Sequence, residues 1–103
     1  MRISSLILLT FGLAFGNVIH AGGDVAAGKS KAATCIACHG QDGNSANPAW
    51  PKLAGQHAVY LEKQMKDFRD GKRKDPMMAP MAASLSDTDI SNLAAYFAAQ
   101  KQK

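Results

Sequence analysis

The chain holds few of the residues that staple, span or stack. Its 103 residues include two cysteines, three histidines, one tryptophan and two tyrosines. With only Cys35 and Cys38, a disulfide framework is excluded; a bridge between them would close four residues and remove little chain entropy. Structural zinc usually takes four ligands, and only His20, His39 and His57 are there to complete a set with the cysteines. The apolar stretch from Ile3 to Phe15 is interrupted by Ser4, Ser5, Thr10 and Gly12. It falls short of the roughly 20 apolar residues that a membrane span needs. Runs that would form the strands of a sheet are missing. Basic residues are not interleaved with aromatics in the manner that reads single-stranded nucleic acid. No repeat, low-complexity tract or internal linker is visible.

The amino-terminal segment reads as a secretory signal. Met1-Arg2 is a short positive start, Leu6-Ile7-Leu8-Leu9 is the apolar centre, and Ala21 offers a small residue before Gly22. Residues 1–21 are therefore expected to be a signal peptide and 22–103 the mature domain, exported to the periplasm. Retention of the segment as an anchor is the other outcome. No cysteine near the cleavage point offers itself to a lipid. The net charge of +4 becomes +3 once Arg2 leaves. A mature chain this small buries a modest fraction of its surface and is marginal without help.

What the chain does have is Cys35-Ile36-Ala37-Cys38-His39. C-x-x-C-H is the sequence requirement for covalent attachment of haem c. Two intervening residues in a turned backbone put both sulfurs on one porphyrin edge, where each thiol adds across a vinyl group. His39, next in line, can ligate the iron through one imidazole nitrogen and leave the other to hydrogen-bond the protein. A thioredoxin-like dithiol, half a zinc site and a plain disulfide remain the competing readings. A covalently held porphyrin would supply apolar core that the short chain lacks, and its two propionates would bring the basic chain close to neutrality.

The patterning predicts an all-α fold with three main helices separated by Gly/Pro-rich loops. Asp24 can cap a first helix running to about Thr34. The segment 41–51 (QDGNSANPAWP) is dense in turn formers and reads as a loop. A second helix is expected over about His57 to Asp70, with Leu61, Met65 and Phe68 on one face and Gly71 as its stop. Pro76 and Pro80 forbid a continuous helix across Lys72 to Pro80. The last helix is the best marked: Ser86 and Asp89 form a capping-box pattern, followed by an apolar stripe of Ile90, Leu93, Ala94 and Phe97.

A haem held by His39 leaves one axial position, and a thioether sulfur there would favour ferrous iron and raise the potential. Met65 lies on the apolar face of a helix and suits the core. Met77, Met78 and Met81 cluster between the prolines and the last helix, where one can be the ligand and the others can pack around the ring.

With these elements in order, the chain resembles a class I cytochrome c. It is similar to the small bacterial periplasmic monohaem kind, which also forms each lobe of dihaem cytochromes c. The likeness spans residues 23 to 100: Gly23-Asp24-Val25, CIACHG at 35–40, Asp42-Gly43-Asn44 and PKLAGQ at 51–56. It continues through the methionine segment, Leu85-Ser86-Asp87 and Leu93-Ala94-Ala95-Tyr96. The resemblance implies a fold of three main helices and loops wrapped around one covalent haem c. It also implies a ligand methionine seven residues before the leucine of the L-S-D start, which is Met78; members that place it four before would use Met81. It further implies that the Pro51 carbonyl faces the His39 ring N–H, where an ordinary loop proline is the alternative. Trp50 and Tyr60 could reach a propionate through their N–H and O–H groups, or serve as wall and core aromatics. His57 reads as a surface residue. The first and last helices are expected to cross at Gly28, against Phe97 or Tyr96.

The function expected on these grounds is one-electron transport by a His/Met-ligated haem cycling between Fe(III) and Fe(II), with redox proteins such as a respiratory reductase or oxidase as partners. Nothing demands more than a monomer. Lys72-Arg73-Lys74 with Lys63 and Lys66 could steer an acidic partner, but Asp67, Asp70 and Asp75 are interspersed, which suits a solvated face. The alternative is a haem-based sensor or small-molecule-binding protein with an open or labile sixth position. An enzyme acting on peroxide lacks a distal acid–base pair, because the mature chain has only His57 besides His39. Membership of a larger respiratory complex is a further reading.

Overall fold

The computed structural model describes residues 22–103; the expected signal segment, 1–21, lies outside them. All regular elements among the described residues are helical. They are α1 (Val25–Lys31), a 3-10 turn (Ala32–Thr34), α2 (Ile36–His39), α3 (Ala58–Arg69), α4 (Met78–Ala82) and α5 (Asp87–Ala98). The all-α expectation holds.

Local chemistry sets each boundary. The Asp24 carboxylate accepts from the N–H groups of Ala26 (2.8 Å) and Ala27 (3.2 Å), two donors that α1 itself cannot satisfy. The α-helix ends at Lys31, short of the expected Thr34. The chain tightens there into the 3-10 turn, in which Cys35 N donates to Ala32 O at 2.8 Å. α3 matches the expected range closely, with His57 and Asp70 as its flanking residues and Gly71 at φ +79° just beyond. α5 opens with a complete capping box: Asp89 N donates to Ser86 Oγ (3.0 Å) and Ser86 N to Asp89 Oδ2 (3.1 Å).

The core lies between these helices. Ile90, Leu93 and Ala94 are fully buried, and Phe97 nearly so, joined by Leu61 of α3 and Ala32 of the 3-10 turn. α1 packs on α5 at Gly28. A Cβ at that position would overlap the Asn92 carbonyl and stand 2.8 Å from Tyr96 Cβ. The backbones can approach this closely only without a side chain, and the partner is Tyr96, one of the two expected. Across the same junction Asp24 N donates to Asn92 Oδ1 at 2.9 Å.

One segment differs from the loop expected before the last helix. Met78–Ala82 forms a short helix that includes Pro80. Pro80 is its third residue, where the missing N–H would have had no intrahelical partner, so the ring is tolerated. α4 packs on α3, with Ala82 buried.

Candidate haem site

Cys35, Cys38 and His39 come together on one turn. Cys38 N and His39 N both point to Cys35 O, at 3.3 Å and 2.9 Å, and Gly40 ends the turn at φ +82°. A Cβ on Gly40 would approach Asn44 O to 2.9 Å, so the exit from the turn depends on glycine in conformation and in space. Both cysteines are half-buried.

His39 is 6% exposed, the most deeply placed polar side chain among the described residues. Its Nδ1 lies 2.9 Å from Pro51 O. A carbonyl oxygen can only accept, so Nδ1 donates here, and in the neutral ring Nε2 is then the nitrogen with the free lone pair. That is the tautomer an iron-ligating imidazole needs, with its orientation held from behind. The residues after Pro51 fix its carbonyl. Leu53 N and Ala54 N both donate to Gly43 O (2.8 and 3.2 Å), and Gly55 N donates to Phe97 O (3.0 Å). Gly43 is buried at φ +79°, and a Cβ there would lie 2.8 Å from Phe97 Cδ1 and from Ala54 N. The proline segment is thereby pinned to both the haem-attachment loop and the end of α5.

The competing readings of the cysteine pair fare poorly. Burial pushes the Cys35 thiol up, with Thr34 opposing and Cys38 adding to the shift. A reactive dithiol needs the reverse, a thiol lowered toward the thiolate. No strand accompanies the pair among the described residues, and no group of three or more His, Cys, Asp or Glu is placed there to hold a metal. The donor set that remains fits haem c: two thiols on one turn and an imidazole whose Nδ1 is engaged by Pro51 O, leaving Nε2 for a metal. His39 would hold the iron and Cys35 and Cys38 the porphyrin edge.

Met78 is half-buried at the first position of α4, while Met77 and Met81 are 55% and 47% exposed. Met65 packs against the core cluster. Trp50 is half-buried and Tyr60 exposed. His57 is exposed at the start of α3. Of the basic residues, Lys63 pairs with Asp67, and Arg73 bonds Gln64 and lies 4.5 Å over the Phe68 ring. These partners are intramolecular, as a solvated face would have them.

Two contacts escaped sequence reasoning. Asp75 Oδ1 accepts from both Met77 N and Met78 N at 2.9 Å, which lowers its pKa. The Asp75-Pro76 pair is a turn-initiating signal that could have revealed it. Tyr96 Oη donates to Gln41 O at 2.7 Å and ties α5 to the residue after Gly40; nothing local in the sequence marks that bond.

The chain belongs to the cytochrome c family, whose profile matches residues 25–101. Family membership carries covalently attached haem c with it, in agreement with the donor set. The chain is 56% identical over 95 residues to cytochrome c4 of Pseudomonas aeruginosa, a match covering 92% of this chain and 46% of that protein. It is 51% identical over 82 residues to cytochrome c-554(548) of Halomonas halodenitrificans, covering 77% of this chain and 99% of the other. Among solved structures, reduced recombinant cytochrome c4 from Pseudomonas stutzeri superposes with a TM-score of 0.75 at 47% identity, over 79% of this chain and 47% of that one. The chain thus spans about half the length of the cytochrome c4 chains it matches. It is similar to one lobe of such a protein.

Proposed function

We propose that this chain is a one-electron carrier with His39 and Met78 as axial ligands. When bound, the haem iron supplies reversible Fe(III)/Fe(II) exchange; everything else is positioning by the protein. The observation that carries the reading is the His39 Nδ1–Pro51 O contact of 2.9 Å, which presents Nε2 in one orientation and one tautomer. A ring held from behind changes little in geometry when the metal changes charge. Met78, half-buried where Met77 and Met81 are exposed, is the best shielded of the three methionines ahead of the last helix and the one assigned as the second ligand. Relatives named as cytochromes support the carrier role over an enzyme. The partner is a redox protein that docks briefly over a small area, as such encounters do. The signal-like pattern of residues 1–21, a positive start and a short apolar centre, supports a periplasmic setting.

Optical spectra of the exported protein, oxidised and reduced, with and without carbon monoxide, test this. Sharp reduced c-type bands unmoved by carbon monoxide, with a sulfur–iron band in the oxidised state, are expected. Bands that shift with carbon monoxide would instead support a sensor with an open sixth position.

A further inference from the structure

The geometry points to Asp75 as the residue that positions the axial methionine, an inference that rests on Met78 being the ligand. Asp75 is the fixed point at the near end of α4. Its Oδ1 accepts from Met77 N and Met78 N at 2.9 Å each, and its backbone oxygen accepts from Ala79 N at 3.0 Å. Three consecutive N–H groups of the methionine segment thus converge on one residue. Pro76 supports this from the other side, because a residue before proline is held to extended backbone and away from the helical region. Asp75 is half-buried, and its carboxylate is oriented by the two N–H groups it accepts from.

The far end of α4 is anchored differently. Leu85 N donates to Ala82 O at 3.0 Å. Arg69 Nη1 bonds both Leu85 O (3.2 Å) and Asp87 Oδ1 (2.7 Å), linking that end to α3 and α5. The two ends therefore have separate clamps. With the far end fixed to the helical frame, the rotation of the first turn of α4 decides which sulfur points inward. Met77, Met78 and Met81 all stand within five positions, so a modest rotation would exchange one for another. Asp75 removes that freedom by holding the N–H of Met78 itself. Without the carboxylate, those N–H groups would turn to water and the first turn would fray, as uncapped turns do.

The test uses holoprotein carrying Asp75→Ala, Asp75→Asn, Met78→Ala or Asp89→Ala, the last removing a capping carboxylate of α5 as a control. Carbon monoxide binding to the ferrous protein and the reduction potential are read for each, beside the urea midpoint. Asp75→Ala is expected to raise carbon monoxide affinity roughly fivefold, the factor to which the free energy of one lost cap converts, and to lower the potential. Asp75→Asn keeps an oxygen acceptor and should stay near the parent. Asp89→Ala should lower the urea midpoint without opening the iron. If Asp75→Ala leaves affinity and potential unchanged while Met78→Ala opens the iron, Asp75 has no positioning role. The positioning role fails equally if Asp89→Ala opens the iron as much as Asp75→Ala does. Iron that stays closed in Met78→Ala removes the ligand assignment, and the role of Asp75 with it.

Discussion

The Pro51 carbonyl oxygen stands 2.9 Å from His39 Nδ1, across twelve residues of chain. This contact belongs to the backbone, so its dependence on the proline side chain is indirect. Pro51→Ala keeps the carbonyl and loosens φ, chiefly enlarging the unfolded ensemble. The expected result is an unchanged haem spectrum with stability lower by about 0.4–1 kcal/mol in urea titration. A spectrum altered as strongly as by ligand loss would show that the ring itself determines the imidazole geometry.

Met78→Ala should lower the reduction potential by a sizeable part of the roughly 0.8 V range that axial ligation spans. Met81→Ala should shift it far less. Protein-film voltammetry of the two variants decides between them, and the reverse ranking moves the ligand to Met81.

Gly28→Ala should destabilise the protein by about 1–3 kcal/mol or more, because the new methyl overlaps the Asn92 carbonyl and backbone must move. Gly71→Ala meets nothing within 4 Å, and its cost comes only from its φ of +79°. Denaturant midpoints of both should therefore rank Gly28→Ala as the more damaging. Equal midpoints would mean that α1 and α5 separate easily.

Asp42 offers a pH test. Hydrogen bonds from Asn44 and then the Lys103 ammonium hold its pKa at about 2, below the ordinary 3.8. A carboxyl lowered on folding stabilises the native state above its unfolded pKa, and that contribution fades as pH falls through the folded value. The stability gap between the parent and Asp42→Asn should stay constant above about pH 5 and close between about pH 4 and pH 2. Urea unfolding across that range measures it; a gap that widens toward acid would contradict the Asn44 and Lys103 contacts.

Export makes a separate prediction. Mass spectrometry of protein recovered from the periplasm should give a chain beginning at Gly22. A full-length mass in the membrane fraction would identify the segment as a retained anchor.

How much of this was legible before folding depends on the range of each interaction. The capping box of Ser86 and Asp89 and the stripe of Ile90, Leu93, Ala94 and Phe97 involve neighbours three or four residues apart, and both were readable. The short α4 was not, since two prolines argue against helix unless one happens to fall in the first turn. Asp75 looked like one more acid in a charged run, because its partners are backbone N–H groups that leave no trace in composition.

The sequence by itself made the candidate attachment chemistry legible, since Cys35, Cys38 and His39 fall within a single turn and would need only local backbone to meet a porphyrin edge. It also determined the helical class, through apolar spacing and caps. Which distant atoms brace the turn and the helices around it follows from tertiary packing. The Tyr96–Gln41 bond spans 55 residues and the Asp24–Asn92 bond 68, the latter joining the residue that caps α1 to the α5 residue whose carbonyl meets Gly28. The His39–Pro51 contact likewise waits on Gly43 and Phe97 to hold the proline segment. Hydrogen bonds of that reach depend on where packed helices bring distant backbone, and local residue pattern carries no record of it.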